Sequence, residues 1–255
     1  MGEHTTWFDL LPGFDNLQAF FRQYLGRSWS NDYLPPQEHF SLVPVITLLV
    51  LMFFLLMVGI RFRRQSLRDD ALVPPSNVTF FSLFDLFFSA IYDMVLSVME
   101  SKEHARKIFP LASGLFLIIL LANLVGIIPG MDPPTAHLQF NLVLALLVFI
   151  FTHYLGIREH GLGYIKQFTG EFLVLAPLMI ILETISHIAR PLSLTIRLLG
   201  NMFADHKVVA IFTFMIPLVI PLPFLFLGVL VSLVQAFVFT LLAVVYFSMA
   251  LAAEH

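Results

Sequence analysis

Apolar and polar positions alternate in long blocks along this chain, and the blocks have the length of membrane spans. Residues 42–60 (LVPVITLLVLMFFLLMVGI) are almost unbroken apolar sequence, close to the ~20 residues a helix needs to cross a bilayer. Pro44 falls in the first turn, where a missing N–H is tolerated. Arg61, Arg63, Arg64 and Arg68 follow directly. Residues 79–99 differ in kind. Phe80, Phe81, Phe84, Phe87, Phe88, Ile91 and Val95 keep helical spacing, but Asp85 and Asp93 interrupt them. A carboxylate at a helix centre costs about 2.5–3.5 kcal/mol on insertion scales, so an interfacial or re-entrant helix is expected here. After a polar linker at 100–107, spans are expected at 109–128 and 139–156, separated by a turn-rich loop at 130–138. A Gly-rich polar loop at 157–170 leads into a helical stretch at 172–216, interrupted by Pro177 and Pro191. Pro217, Pro221 and Pro223 mark the next turn, and residues 224–250 form the last span.

The pattern predicts an all-α integral membrane protein with five transmembrane helices and one interfacial helix. The fifth and sixth helices form a long hairpin. Residues 1–40, acidic and closed by Pro35-Pro36, read as an extramembrane tail without a signal peptide, and 41–255 as one membrane domain. Lys and Arg sit after the first span, at 100–107 and at 157–170, whereas 129–138 and 217–223 have none. The positive-inside rule then puts the N-terminus outside and the C-terminus in the cytoplasm.

Composition agrees with the blocks. Of 255 residues, 58% are hydrophobic and 12% charged, about half the charged share of a soluble domain. Mean hydropathy is +0.88. With no Cys, disulfides and thiolate metal sites are excluded. The net charge of -3 carries no sign of a nucleic-acid partner. No GxxxxGK[ST] loop occurs, so nucleotide chemistry has to reside on other chains.

The segment 183–207 (ETISHIARPLSLTIRLLGNMFADHK) is too polar for a lipid-facing span and too long for a loop. At roughly 100° per residue, Glu183, Ser186, Arg190, Ser193, Arg197 and Asn201 fall in one stripe about 80° wide and about 27 Å long. That length is nearly the thickness of the hydrocarbon core. His206 lies about 180° from Arg197 and about 13 Å further along, with Asp205 between them near 80°. The polar surface therefore changes sides, as two offset half-paths would require and one straight pore would not. Arg197 is the sharpest candidate. It cannot shed its proton, and it has no Asp or Glu at i±3 or i±4. Its partner is expected on another chain. Ser186, Ser193 and Thr195 also suit a plainer role, with hydroxyls bonded to their own backbone. Arg190 and Lys207 suit reach toward the interfaces. Gln235 in the last span comes near the depth of Arg197 and is placed to orient the guanidinium.

These residues resemble subunit a of the F-type ATP synthase. ARPLSLTIRLLGNMFADHKVV (189–209) is similar to that family's signature around an essential arginine, and VQAFVFTLLAVVYFSMALAAEH (234–255) to its final helix and tail. ANLVGIIPG (122–130) and PPTAHLQFN (133–141) add to the match. The resemblance implies a stator subunit against a ring of c subunits, with b-type peripheral stalk subunits as further partners, in a bacterial inner membrane. It implies protons, or sodium ions, as the cargo, and no cofactor and no catalysis by this chain alone. Arg197 then faces the ring carboxylates, with Asn201 and Gln235 beside it. Glu183 and Ser186 belong to the cytoplasmic half-channel and His206 to the outer one. His206 stands where many bacterial members have Glu, and Gly228 where some have His. Asp205, His137 and Asp132 are the groups that would compensate. A secondary transporter using Arg197 to hold an anionic substrate is the competing reading, against which no second copy of the 183–207 pattern is found. A structural scaffold is the other.

Overall fold

The computed structural model describes residues 12–25, 42–66, 80–99, 101–128, 131–161, 163–164, 176–215 and 221–252. They form seven α-helices: α1 (Phe14–Leu25), α2 (Val43–Ser66), α3 (Phe80–Val98), α4 (Lys102–Val125), α5 (Leu138–His160), α6 (Ala176–Met215) and α7 (Pro221–Leu251). A 3-10 turn, Pro134–Ala136, precedes α5, and no strand occurs among the described residues. Helices are what an apolar solvent permits, because each satisfies its own backbone polar groups. Within α2, α4, α5 and α7 lie stretches long and apolar enough to cross a membrane.

The centre of the bundle is the pairing of α4 with α7, the most extensive in the molecule. Ala236, Ala243 and Ala250 recur every seven residues on α7 and are buried. Ala105, Ala112 and Ala122 are buried on α4. Small side chains let helix backbones approach closely where lipid supplies no hydrophobic drive. Phe239 and Phe247 on α7 are fully buried in the same core, Phe247 meeting Phe151 of α5 at 5.3 Å between ring centroids. α5 packs on α6 and α7, so α6 touches the bundle mainly through α5 and α7.

α3 lies against α4 through aromatic pairs. Phe87 meets Phe116 at 5.1 Å and Tyr92 meets Phe109 at 5.5 Å between ring centroids. Its buried positions are Ile91 and Val95, with Met99 just beyond, while Asp85 and Asp93 stay exposed. The Ser248 hydroxyl donates to the carbonyl of Val98 at 3.2 Å, tying the end of α7 to the end of α3.

Three boundaries depart from the sequence expectation. The N-terminal tail contains α1, whose Phe14 packs with Leu42 and Val43 at the start of α2. The linker at 100–107 is the opening of α4. The Ser101 side chain caps it by accepting from the Glu103 N–H, and Lys107 donates to Glu103 at 2.7 Å one turn apart. Pro191 sits inside α6, which continues for 40 residues.

At the far end, α5 stops at Gly161, whose φ of 58° is a left-handed value that glycine adopts freely. The chain then folds back, and the buried ring of Tyr164 lies on Gly156. A Cβ at Gly156 would overlap three ring atoms of Tyr164. Gly156→Ala is therefore expected to destabilise this end by about 1–3 kcal/mol, the range for forced overpacking. A thermal melt of the detergent-solubilised complex checks it, with Gly114→Ala as the comparison, since a Cβ there meets nothing within 4 Å.

Candidate functional site

The polar stripe of α6 runs along the border between its packed and open faces. His187, Leu194, Thr195, Leu198 and Met202 are buried toward α5 and α7. Ser186 and Arg190 are half-buried, and Ser193, Arg197 and Asn201 are exposed. Arg197 makes no ion pair or hydrogen bond among the described residues. Its neighbours along the stripe are the exposed Ser193 and Asn201, and further round the open face Ile188, Leu192 and Ile196 are 53–60% exposed. Gly200, one turn on, leaves that face without a side chain.

Asn201 turns back toward α7. Its Nδ2 donates to Oε1 of Gln235 at 2.6 Å. Gln235 is buried, and its bonded partner Asn201 stands one turn from Arg197. Amides on facing helices recognise each other because each offers a donor and an acceptor. A double-mutant cycle with Asn201→Ala and Gln235→Ala is expected to give a coupling of about 0.6 kcal/mol, as for interhelical bonds in membranes. Unfolding of the detergent-solubilised protein is the measurement, and additive effects would remove the bond.

Next to this bond lies a residue that sequence reasoning missed. Asn123 of α4, 3% exposed, lines a cavity of about 10 Å³ with Leu198, Asn201, Ser232 and Gln235. The Oδ1 of Asn123 and the Nε2 of Gln235 are buried without a partner among the described residues. A cavity of that size has room for about one water, which would accept from Gln235 and donate to Asn123. The signal was available: an Asn inside LIILLANLVGI is a polar group in apolar sequence.

The remaining candidates separate. Thr195 donates from Oγ1 to the Pro191 carbonyl at 2.8 Å, the self-bonded role expected of a hydroxyl in a span. Arg190 lies with its guanidinium carbon 5.3 Å from the ring centroid of Tyr246. His137 and Asp132 pair with each other at 2.9 Å, beside the 3-10 turn that packs on α2, α4, α5 and α6. The helical positions of Glu183, Asp205 and His206 in α6 are described, but their side chains lie outside the described residues, as do those of Phe203 and Lys207. No group of three metal-ligating side chains occurs among the described residues.

Helices with four membrane-crossing stretches among the described residues, and an exposed permanent cation beside an interhelical amide pair, define the class of integral membrane proteins that work on charge within the bilayer. The particular family follows from comparison. Residues 42–248 match the model of the ATP synthase A chain family. The chain is 44% identical over 174 residues to ATP synthase subunit a 1 of Pelobacter propionicus, covering 68% of this chain and 75% of that protein. It is 41% identical over 202 residues to ATP synthase subunit a of Geobacter sp. (strain M21), covering 79% and 86%. A third relative, from Trichlorobacter lovleyi, is 45% identical over 181 residues, 71% of this chain and 77% of that protein. The chain belongs to the ATP synthase A chain family. It is a multi-pass membrane component of the enzyme's Fo sector and serves proton transport in ATP synthesis.

Proposed function

We propose that this chain is the stator of the proton motor, with Arg197 facing the carboxylates of a c-subunit ring and two offset half-channels leading to it from opposite sides. The observation that carries this reading is the exposed Arg197 on the open side of α6, with no anion of its own chain beside it among the described residues. A charge left so in a bilayer calls for a partner's carboxylate.

The coupling follows from elementary electrostatics. Beside the arginine a ring carboxylate is favoured as the anion, because an opposite charge lowers its pKa. Away from it, in lipid, desolvation favours the protonated acid. Each carboxylate therefore gives up a proton on approaching Arg197 and takes one before leaving into lipid. One charge driven across 100 mV supplies about 2.3 kcal/mol, so several must combine for each nucleotide made.

In this reading α2, α4, α5, α6 and α7 cross the membrane and α3 lies at the interface. At about 1.5 Å per residue, the 40 residues of α6 extend to about 60 Å, twice the hydrocarbon thickness, so α6 and its hairpin partner α7 run strongly tilted. The N-terminal tail is outside and the C-terminus cytoplasmic, in a bacterial inner membrane. Glu183 and Ser186 serve the cytoplasmic half-channel. His206 serves the outer one, with Asp205, Asp132 and His137 as its nearby titratable groups. The partners are the c-ring, b-type peripheral stalk subunits and the lipid itself, the cargo is the proton, and catalysis of phosphoryl transfer resides on other subunits. Replacing Arg197 with Ala in the assembled complex tests this. Loss of ATP-driven pumping with assembly retained upholds it, and normal pumping removes it.

A further inference from the structure

A second polar cluster lies deeper in the bundle, about 15 Å before Arg197 along α6. His153 of α5 and His187 of α6 face each other, ring centroids 5.1 Å apart and planes at 61°. With Thr152, Arg190 and Tyr246 they line a cavity of about 10 Å³ between α5, α6 and α7, room for about one water. His187 is buried and His153 half-buried. Tyr164, from the turn after α5, meets the His153 ring edge-on at 5.9 Å.

The protonation pattern of His153 can be read from its bond. Nδ1 lies 2.8 Å from the carbonyl oxygen of Phe149, one turn back. A carbonyl only accepts, so Nδ1 carries the hydrogen, and the neutral ring keeps its lone pair on Nε2. Such a ring is held by its helix as a base.

We propose that the His153–His187 pair is a proton-holding station on the cytoplasmic half-path; this rests on the half-channel reading above. Nε2 of His153 takes one proton from a hydronium arriving at the cavity: an O–H bond breaks as the N–H bond forms, leaving a water and an imidazolium. The N–H bond later breaks as the proton passes to a second water, which leaves as hydronium. The groups facing the pair are Arg190 on α6, Thr152 on α5, Tyr246 on α7 and Tyr164. Glu183, four residues before His187 on α6, has its side chain outside the described residues. In ATP-driven pumping the station gathers protons from the cytoplasmic side. Its value rises as free protons become scarce.

The test compares ATP-driven proton uptake into inverted vesicles carrying the assembled complex, wild type against the double variant His153→Gln and His187→Gln. Glutamine keeps a polar amide and does not titrate. The ratio of variant to wild-type rate is read from about pH 6 to about pH 8, the range over which histidine changes charge; pH effects on the catalytic sector cancel in it. The ratio is expected to fall with rising pH, reaching about a third or less at the alkaline end. A ratio of one throughout, or one lowered equally at every pH as a packing defect would give, overturns the proposal. Should the double variant not assemble, the two single variants are read by the same criterion. Arg197→Ala in the same vesicles separates the two readings: if it fails to pump and the histidine ratio is flat, only the station is lost.

Discussion

Arg197→Ala is expected to assemble normally and to lose ATP-driven proton pumping down to background. Retained assembly follows from where the side chain sits. Arg197 is exposed and bonded to nothing among the described residues, so truncating it opens no cavity and orphans no buried group. Lost pumping follows from the charge. Without a fixed cation, nothing favours ionisation of an arriving carboxylate at that depth, and nothing separates the two half-paths. Arg197→Lys is a sharper version, because an ammonium in a desolvated site can neutralise itself and a guanidinium cannot. Proton uptake by inverted vesicles, read alongside the amount of subunit a retained in the complex, decides both.

Ala243→Phe is expected to have the opposite signature: little or no subunit in the membrane, and therefore nothing to assay. Ala243 is fully buried in the core cluster to which α3, α4, α5, α6 and α7 all contribute, on the same helix as Phe239, Val244 and Phe247. A phenyl ring there must displace the helices packed on α7. Overpacking by a few methylenes already costs about 1–3 kcal/mol, and a ring at a close helix crossing exceeds that. Against a total stability of about 5–15 kcal/mol, the loss is decisive. Immunoblots of membranes measure it, with Ala243→Gly expected to accumulate near the wild-type level. Normal accumulation of the Phe variant would mean that α7 does not pack tightly into the core at this position.

What could be read in advance follows a physical line. The apolar runs of α2, α4, α5 and α7 were legible because lipid demands unbroken hydrophobicity over a set length. The opening of α4 was not, because Lys102, Glu103 and Lys107 read as linker until Ser101 is seen to cap them. The angular grouping of Arg197, Ser193 and Asn201 was legible from helical periodicity alone. Which side of that stripe stays open was not, since it depends on where α5 and α7 dock. Asn123, His153 and His187 went unread for a related reason: a lone polar residue in an apolar run acquires meaning only when another helix brings Gln235 or a second imidazole to meet it.

The adjacency of Gln235 and Ala236 on α7 has a mechanical side. One residue grips Asn201 on α6, and the next is buried in the core that α7 shares with α4. In the proposed stator, a sideways push on α6 would thus be carried across the amide bond into the buried core instead of being spent on displacing lipid. The hairpin is anchored within one residue of the place where torque would be applied, and the charged side chain beside it keeps its station while the load passes.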